Sequence, residues 1–230
     1  MRPESALPRA RCGPELGSSE EGVARCRRGR VILIDDDAEI LAALRFLLEV
    51  EGYACVTFPS ALDYFACLEA HRNLPPGPRC VLLDVMMPDL NGLEAQRRLA
   101  VMDDTPLLLM SGASGVREAV TAFRAGALDF LVKPIEAETL LGAVEKALAV
   151  SRRNQLLREQ TRVRTGKIAA LTTREHDVAV RVAHGKLNRV IATELGLALR
   201  TVKLYRQRCM EKLEAASTAD LVRILQDEEP

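Results

Sequence analysis

The sequence predicts two domains of different class: a doubly wound α/β domain on a five-stranded parallel sheet, then an all-α domain. Three observations carry this. Between Arg30 and Val150, strand-length apolar runs alternate five times with segments whose apolar residues recur at helical spacing. The strand runs are almost continuously apolar, as strands covered on both faces must be. From Leu171 onward the pattern is helical throughout, and charge divides at the same place. Residues 30–150 carry 10 Lys and Arg against 18 Asp and Glu, a balance of −8. Residues 151–230 carry 16 against 10, a balance of +6. The zero net charge therefore hides an acidic block followed by a basic one, which suggests different partners.

Composition narrows the class further. Hydrophobic residues make up 48% of 230 and charged residues 28%, as in soluble globular chains. The longest apolar runs, such as Val31–Ile34, are far short of the ~20 residues that span a bilayer. The N-terminal arginines are not followed by an apolar stretch, so no secretion signal is read and a cytoplasmic location is expected. The cysteines at 12, 26, 55, 67, 80 and 209 form no C-x-x-C pair and have no His at zinc spacing. They read as structural thiols, with a redox role for Cys209 as a minor alternative.

Residues 1–29, rich in Arg, Pro, Gly, Ser and Glu, read as a disordered extension. Val31–Ile34 is the first strand, ending in Asp35-Asp36-Asp37, and Ile40, Leu41, Leu44, Leu47 and Leu48 mark the first helix. Ala54–Thr57 is a strand, Ala61–His71 a helix and Asn73–Pro78 a loop. Cys80–Leu83 is a strand ending at Asp84, and Gly92–Val101 a helix. The strand Pro106–Met110 precedes the helix Gly115–Ala125, and the strand Ala127–Val132 precedes the helix Glu136–Val150. Residues 151–167 are polar and helix-permissive, a helical linker before a domain at 168–230. There Thr172 and Glu175 have capping-box spacing, and Gly185 suits a helix C-terminus. Leu187–Leu195, the turn Gly196-Leu197-Ala198, Leu199–Leu213 and Thr218–Leu225 complete the chain.

In open parallel sheets the functional crevice lies beyond the carboxyl ends of the strands. Those ends carry Asp35 and Asp36, Asp84, Ser111 and Lys133, which should converge on one rim. Three carboxylates together repel one another, and a divalent cation relieves the conflict. Mg²⁺ suits such a site because it takes oxygen ligands and keeps several waters. Lys133 and the Ser111 hydroxyl are then available for the oxygens of a phosphoryl group.

The segments Val-Ile-Leu-Ile-Asp-Asp-Asp (31–37), Val-Leu-Leu-Asp-Val-Met-Met-Pro-Asp-Leu-Asn-Gly (81–92), Leu-Met-Ser-Gly (109–112) and Gly-Ala-Leu-Asp-Phe-Leu-Val-Lys-Pro (126–134) together resemble a response-regulator receiver domain of flavodoxin-like fold. The resemblance implies that Asp84 accepts the phosphoryl group. It implies Mg²⁺ held by Asp35, Asp36, Asp84 and the Met86 carbonyl. Ser111 becomes the switch hydroxyl, Lys133 the phosphate-binding cation and Phe130 the switch aromatic, and Pro134 takes a cis-proline position.

The second domain has the form helix, Gly-containing turn, basic helix, which suits a major-groove reader. Leu-Thr-Thr-Arg-Glu (171–175), Gly-Lys-Leu-Asn-Arg-Val-Ile-Ala (185–192), Leu-Arg-Thr-Val-Lys (199–203) and Met-Glu-Lys-Leu (210–213) resemble LuxR-type regulators of the FixJ/NarL class. The resemblance makes Leu199–Leu213 the recognition helix. Lys203, Leu204 and Gln207 match base-facing positions, and Arg200, Thr201, Arg206 and Asn188 match contacts to the DNA backbone. Ala198 stands where the family often has a capping Ser, Tyr205 where it often has His, and Lys203 where it often has Glu.

Together these imply a transcription regulator, not an enzyme. A sensor histidine kinase phosphorylates Asp84, which promotes homodimerisation through about residues 115–150 or release of the DNA-binding domain. Implied partners are double-stranded operator DNA and RNA polymerase. Two rivals are a regulator that binds DNA without phosphorylation and an aspartyl-phosphate phosphatase. Against the phosphatase, the residue two beyond Asp84 is Met86, which cannot transfer a proton.

Overall fold

The computed structural model describes residues 28–70, 77–112 and 116–225. The expected extension at 1–29 therefore lies outside the described residues, except for Arg28 and Gly29, as does most of the loop expected at 73–78. The chain divides into two compact units, 1–154 and 155–230.

In the first unit, strands β1 (Arg30–Ile34), β2 (Ala54–Phe58), β3 (Arg79–Asp84), β4 (Leu107–Ser111) and β5 (Asp129–Val132) form one sheet in the order β2-β1-β3-β4-β5. All neighbours are parallel. The crossovers are α1 (Ala38–Val50), α2 (Ala61–Glu69), α3 (Gly92–Met102) and α4 (Val116–Arg124), and α5 (Ala137–Ala169) follows β5. Strand side chains alternate between faces, so each strand supplies two cores. Val31, Leu33, Cys80, Leu82, Leu108 and Met110 pack with Leu41 and Leu48 of α1 and with Leu140, Val144 and Leu148 of α5. Ile32, Ile34, Val81, Leu83, Leu107 and Leu109 pack on the other face with Tyr64 and Phe65 of α2, Ala95 and Leu99 of α3 and Ala122 of α4. This two-sided burial explains why the strands are apolar throughout.

Three of the crossover helices start at a residue that can cap them. Asp37 accepts from the amides of Glu39 and Ile40, Ser60 from Asp63 and Asn91 from Leu93. Most boundaries differ from expectation by only one or two residues. The fifth strand begins at Asp129 rather than Ala127, because the Leu128 amide is already donated to Leu107 O as the chain turns onto the sheet. The last helix of the α/β block continues through the residues read as a helical linker and runs to Ala169, since no proline interrupts 137–169. Ser151, inside that run, is buried and accepts from the Arg79 amide at 3.0 Å.

The second unit adds α6 (Thr173–Ala183), α7 (Asn188–Leu195), α8 (Leu199–Lys212) and α9 (Thr218–Leu225). Val178, Ala179, Val182, Ile191, Val202, Cys209, Leu213, Leu221 and Leu225 form its core. Thr172 and Glu175 close the expected capping box on α6. Gly196 ends α7 at φ 65°, a left-handed conformation that glycine reaches without the usual Cβ clash. The turn it makes leads directly into α8.

Candidate functional site

The carboxyl ends of β1 and β3 are adjacent, and they bring Asp35 and Asp84 to one rim at 1% and 3% exposure. Lys133, just past β5, lies between them. Its Nζ donates to Asp35 Oδ2 and to Asp84 Oδ1, both at 2.6 Å. The second oxygen of each carboxylate accepts a backbone amide: Asp37 N to Asp35 Oδ1 at 3.0 Å, and Met86 N to Asp84 Oδ2 at 2.6 Å. Burial works to lower the Lys133 pKa, but the hydrogen bonds and charges of the two aspartates outweigh it, and the ammonium is held above its ordinary value.

Ser111 ends β4, fully buried, and its carbonyl accepts the Lys133 amide at 2.8 Å. The Lys133-Pro134 peptide is cis, as expected from the resemblance. Phe130 is partly buried against the core on the α2–α4 face. Asp36 does not join the hydrogen-bonded group: it follows Asp35 on an exposed turn. The Met86 side chain is 61% exposed. Among the described residues, no three or more His, Cys, Asp or Glu side chains are grouped so as to cage a metal.

One residue of this site was read from sequence only as the start of a helix. A Cβ on Gly92 would lie 2.3 Å from Asp84 O and 2.7 Å from Val85 Cα, so the backbone of α3 can approach β3 only without a side chain. The Gly92 amide donates to Val85 O at 2.9 Å across that contact. Its one signal in the sequence is a glycine eight residues after Asp84.

In the second unit, Val202, Cys209 and Leu213 turn the apolar side of α8 and its C-terminus into the core. Arg200, Lys203, Leu204, Gln207 and Arg208 are exposed, Leu204 at 44%. No side chain caps α8 at Ala198. Thr201 is half-buried. Arg206 and Asn188, both matched to backbone contacts, bond to each other. The Arg206 guanidinium donates to Asn188 Oδ1 at 3.1 Å and to Thr218 Oγ1 at 3.0 Å, pinning α8 to the starts of α7 and α9. Gln207 donates to Glu211 Oε1 at 2.9 Å. Cys209 is buried and donates to Arg206 O at 3.1 Å, and burial pushes its thiol up, the opposite of a reactive cysteine.

Lys212 Nζ pairs with the buried Glu175 at 2.6 Å, joining the end of α8 to the start of α6. That bond, the Thr172 amide and the Thr172 hydroxyl hold the Glu175 carboxyl down at about 2 against the opposing effect of burial. No helix among the described residues is long and apolar enough to cross a membrane.

Residues 31–145 match the model of the response regulator receiver domain, and residues 169–225 that of the bacterial regulatory proteins of the luxR family. The chain is 36% identical to the response regulator protein TmoT of Ectopseudomonas mendocina, over 84% of this chain and 86% of that one. It is 35% identical to the transcriptional regulatory protein FixJ of Bradyrhizobium diazoefficiens, over 86% of this chain and 94% of that one. Among solved structures, the response regulator StyR matches with a TM-score of 0.75 at 34% identity, covering 86% of this chain and 98% of its own.

Proposed function

The chain belongs to the response regulators that join a receiver domain to a LuxR-type DNA-binding domain, and within that family we propose that Asp84 is the residue phosphorylated. As a member, the protein is a phosphorylation-activated transcription regulator. Its receiver takes a phosphoryl group from a sensor kinase, and its luxR-type domain binds DNA. The observation that carries the assignment of Asp84 is the pair of 2.6 Å bonds from Lys133 to two buried carboxylates on adjacent strand ends.

Receiver domains generally bind Mg²⁺ at this place, and the oxygen donors of the rim suit it. Two carboxylates against one ammonium leave a net negative charge, and the Met86 carbonyl and waters complete the kind of ligand set that Mg²⁺ prefers. Asp35 and Asp84 would hold the ion, with Asp36 from the exposed side. Bound there, it neutralises negative charge on the incoming phosphoryl group.

A carboxylate oxygen of Asp84 then forms the O–P bond as the P–N bond of the kinase phosphohistidine breaks, and the freed imidazole takes a proton from water. Lys133 turns from the carboxylate to the new phosphoryl oxygens, and the Ser111 hydroxyl donates to them. Phe130 follows Ser111 as the aromatic of the switch. The output is a homodimer formed through the α4–β5 face, where Val120, Phe123, Leu128 and Val132 are exposed apolar side chains. On DNA, Lys203, Leu204 and Gln207 face bases and Arg200 and Thr201 face phosphates, with RNA polymerase as the next partner in transcription.

The test is incubation with acetyl phosphate and Mg²⁺, followed by intact-mass measurement. The native chain gains one phosphoryl group and Asp84→Asn gains none. Labelling retained in Asp84→Asn would refute the assignment.

A further inference from the structure

Gln96 of α3 is sealed in the core at 2% exposure. Its Nε2 donates to Ala122 O, in the last turn of α4, at 2.8 Å. That carbonyl also accepts the Ala125 amide at 3.2 Å and the Ala127 amide at 3.0 Å. A carbonyl oxygen has two lone pairs, so Gln96 is a third donor on an acceptor that the α4–β5 turn already satisfies. Because the amide nitrogen must face that carbonyl, the amide oxygen faces away, and it accepts nothing from the described residues.

The side chains of α4 add little to this hold. α1 buries Leu41 and Leu48, α2 buries Tyr64 and Phe65, and α3 buries Leu99. Among the described side chains of α4, Ala122 alone is fully buried, and Val120 and Phe123 are 45% and 49% exposed. One buried methyl contributes about as much as one net hydrogen bond, so the Gln96 bond matches the fully buried apolar contact of the helix. Glu118 lies one turn before Ala122 on the same side of α4. Its buried Oε2 accepts nothing from the described residues, which counts against the present seating. A helix balanced in this way belongs to the low-stability end of a structure.

We propose that Gln96 is a latch that seats α4 in the arrangement in which Lys133 bonds Asp84, and that its release frees Phe123 and Leu128 to regroup against a second copy. Phe123 follows Ala122 and Leu128 follows Ala127, so the bonds that meet at Ala122 O fix the spacing of the two exposed side chains. Removing the donor strands no partner: Ala122 O keeps its two backbone amides, and the unmatched Gln96 Oε1 leaves with it. The dimerisation half rests on the α4–β5 face proposed above as the homodimer interface, whereas the latch itself rests on the Gln96 bond.

Hydrogen exchange of the full chain without a phosphoryl donor reads the latch. Gln96→Leu and Gln96→Met both remove the donor and keep an apolar side chain of similar size. Each is expected to speed exchange of α4 amides by about two- to tenfold, the range for one net hydrogen bond, and to leave β1–β3 at native rates. Sedimentation equilibrium reads the consequence. The freed fraction of each chain rises by that factor from a minor population, so the dimer association constant without phosphorylation rises by its square, about four- to hundredfold. With acetyl phosphate and Mg²⁺ both variants dimerise as the native chain does. Unchanged α4 exchange overturns the latch, and so does exchange that speeds equally in α4 and β1–β3, which is global destabilisation. Faster α4 exchange without stronger dimerisation, in a chain that dimerises when phosphorylated, overturns its control of the second copy. A native chain that stays monomeric when phosphorylated refutes the α4–β5 dimer reading instead, and exchange alone then decides the latch.

Discussion

Lys133 Nζ reaches Asp84 Oδ1 at 2.6 Å from the far side of β4, and a second bond of the same length ties it to Asp35. One ammonium thus compensates two carboxylates that burial would otherwise leave in conflict. Removing one member of such a group costs ~3–5 kcal/mol, because the remaining charges stay buried without a partner. Lys133→Met is expected to destabilise the first unit by about that much without Mg²⁺, and by clearly less in millimolar Mg²⁺. Thermal unfolding with and without the cation checks both halves.

Gly92→Ala introduces a carbon 2.3 Å from the carbonyl of the very residue proposed to accept phosphate. The contact is with backbone, which cannot swing aside. The substitution is expected to cost ~1–3 kcal/mol, typical of overpacking, and to slow labelling by acetyl phosphate. Unfolding midpoints and labelling rates measured on one preparation test the two effects together.

Arg206 and Lys203 lie one turn apart on α8 and should fail differently. Arg206→Ala cuts the bonds to Asn188 and Thr218, so it should lower the stability of the second unit and weaken binding to every DNA sequence alike. Lys203→Ala touches no described hydrogen bond and should leave stability unchanged, with affinity lost mainly at the cognate operator. Melting curves and binding titrations on operator and random duplexes distinguish the two.

Glu175 gives the second unit an acid dependence of known sign. Its carboxyl is held down to about 2 from an ordinary 4.5, so the stability gained by ionisation is complete above 4.5 and is lost as pH falls through about 2. The native chain should lose protection of second-unit amides across that window. Glu175→Gln should be less stable at neutral pH and fall less steeply with acid, as followed by hydrogen exchange.

Much of the acid pocket was legible in the sequence, because a parallel sheet places every carboxyl strand end on one rim. Asp35, Asp84, Ser111 and Lys133 could be gathered from local patterns alone. Asp36 shows the limit: adjacent residues at a strand end point in opposite directions, and only one of a pair enters the cluster. The joining of Arg206 to Asn188 and of Lys212 to Glu175 depends on how helices cross, which periodicity does not encode. Gly92 was visible as a residue, but its contact with β3 arises only when α3 is laid on the sheet. The path of α5 beyond Val150 was open in the sequence because helix-permissive residues do not say whether a helix continues.

The alternation of strand side chains between two cores also makes the sheet a bulkhead. Substitutions under α1 and α5 and substitutions under α2, α3 and α4 fall in compartments divided by the backbone, so their effects on stability should simply add. A repacking of α4 is then contained on its own side of the molecule. Its shortest path to α5 goes around the β5 edge, past Phe130 and Lys133, rather than through the interior.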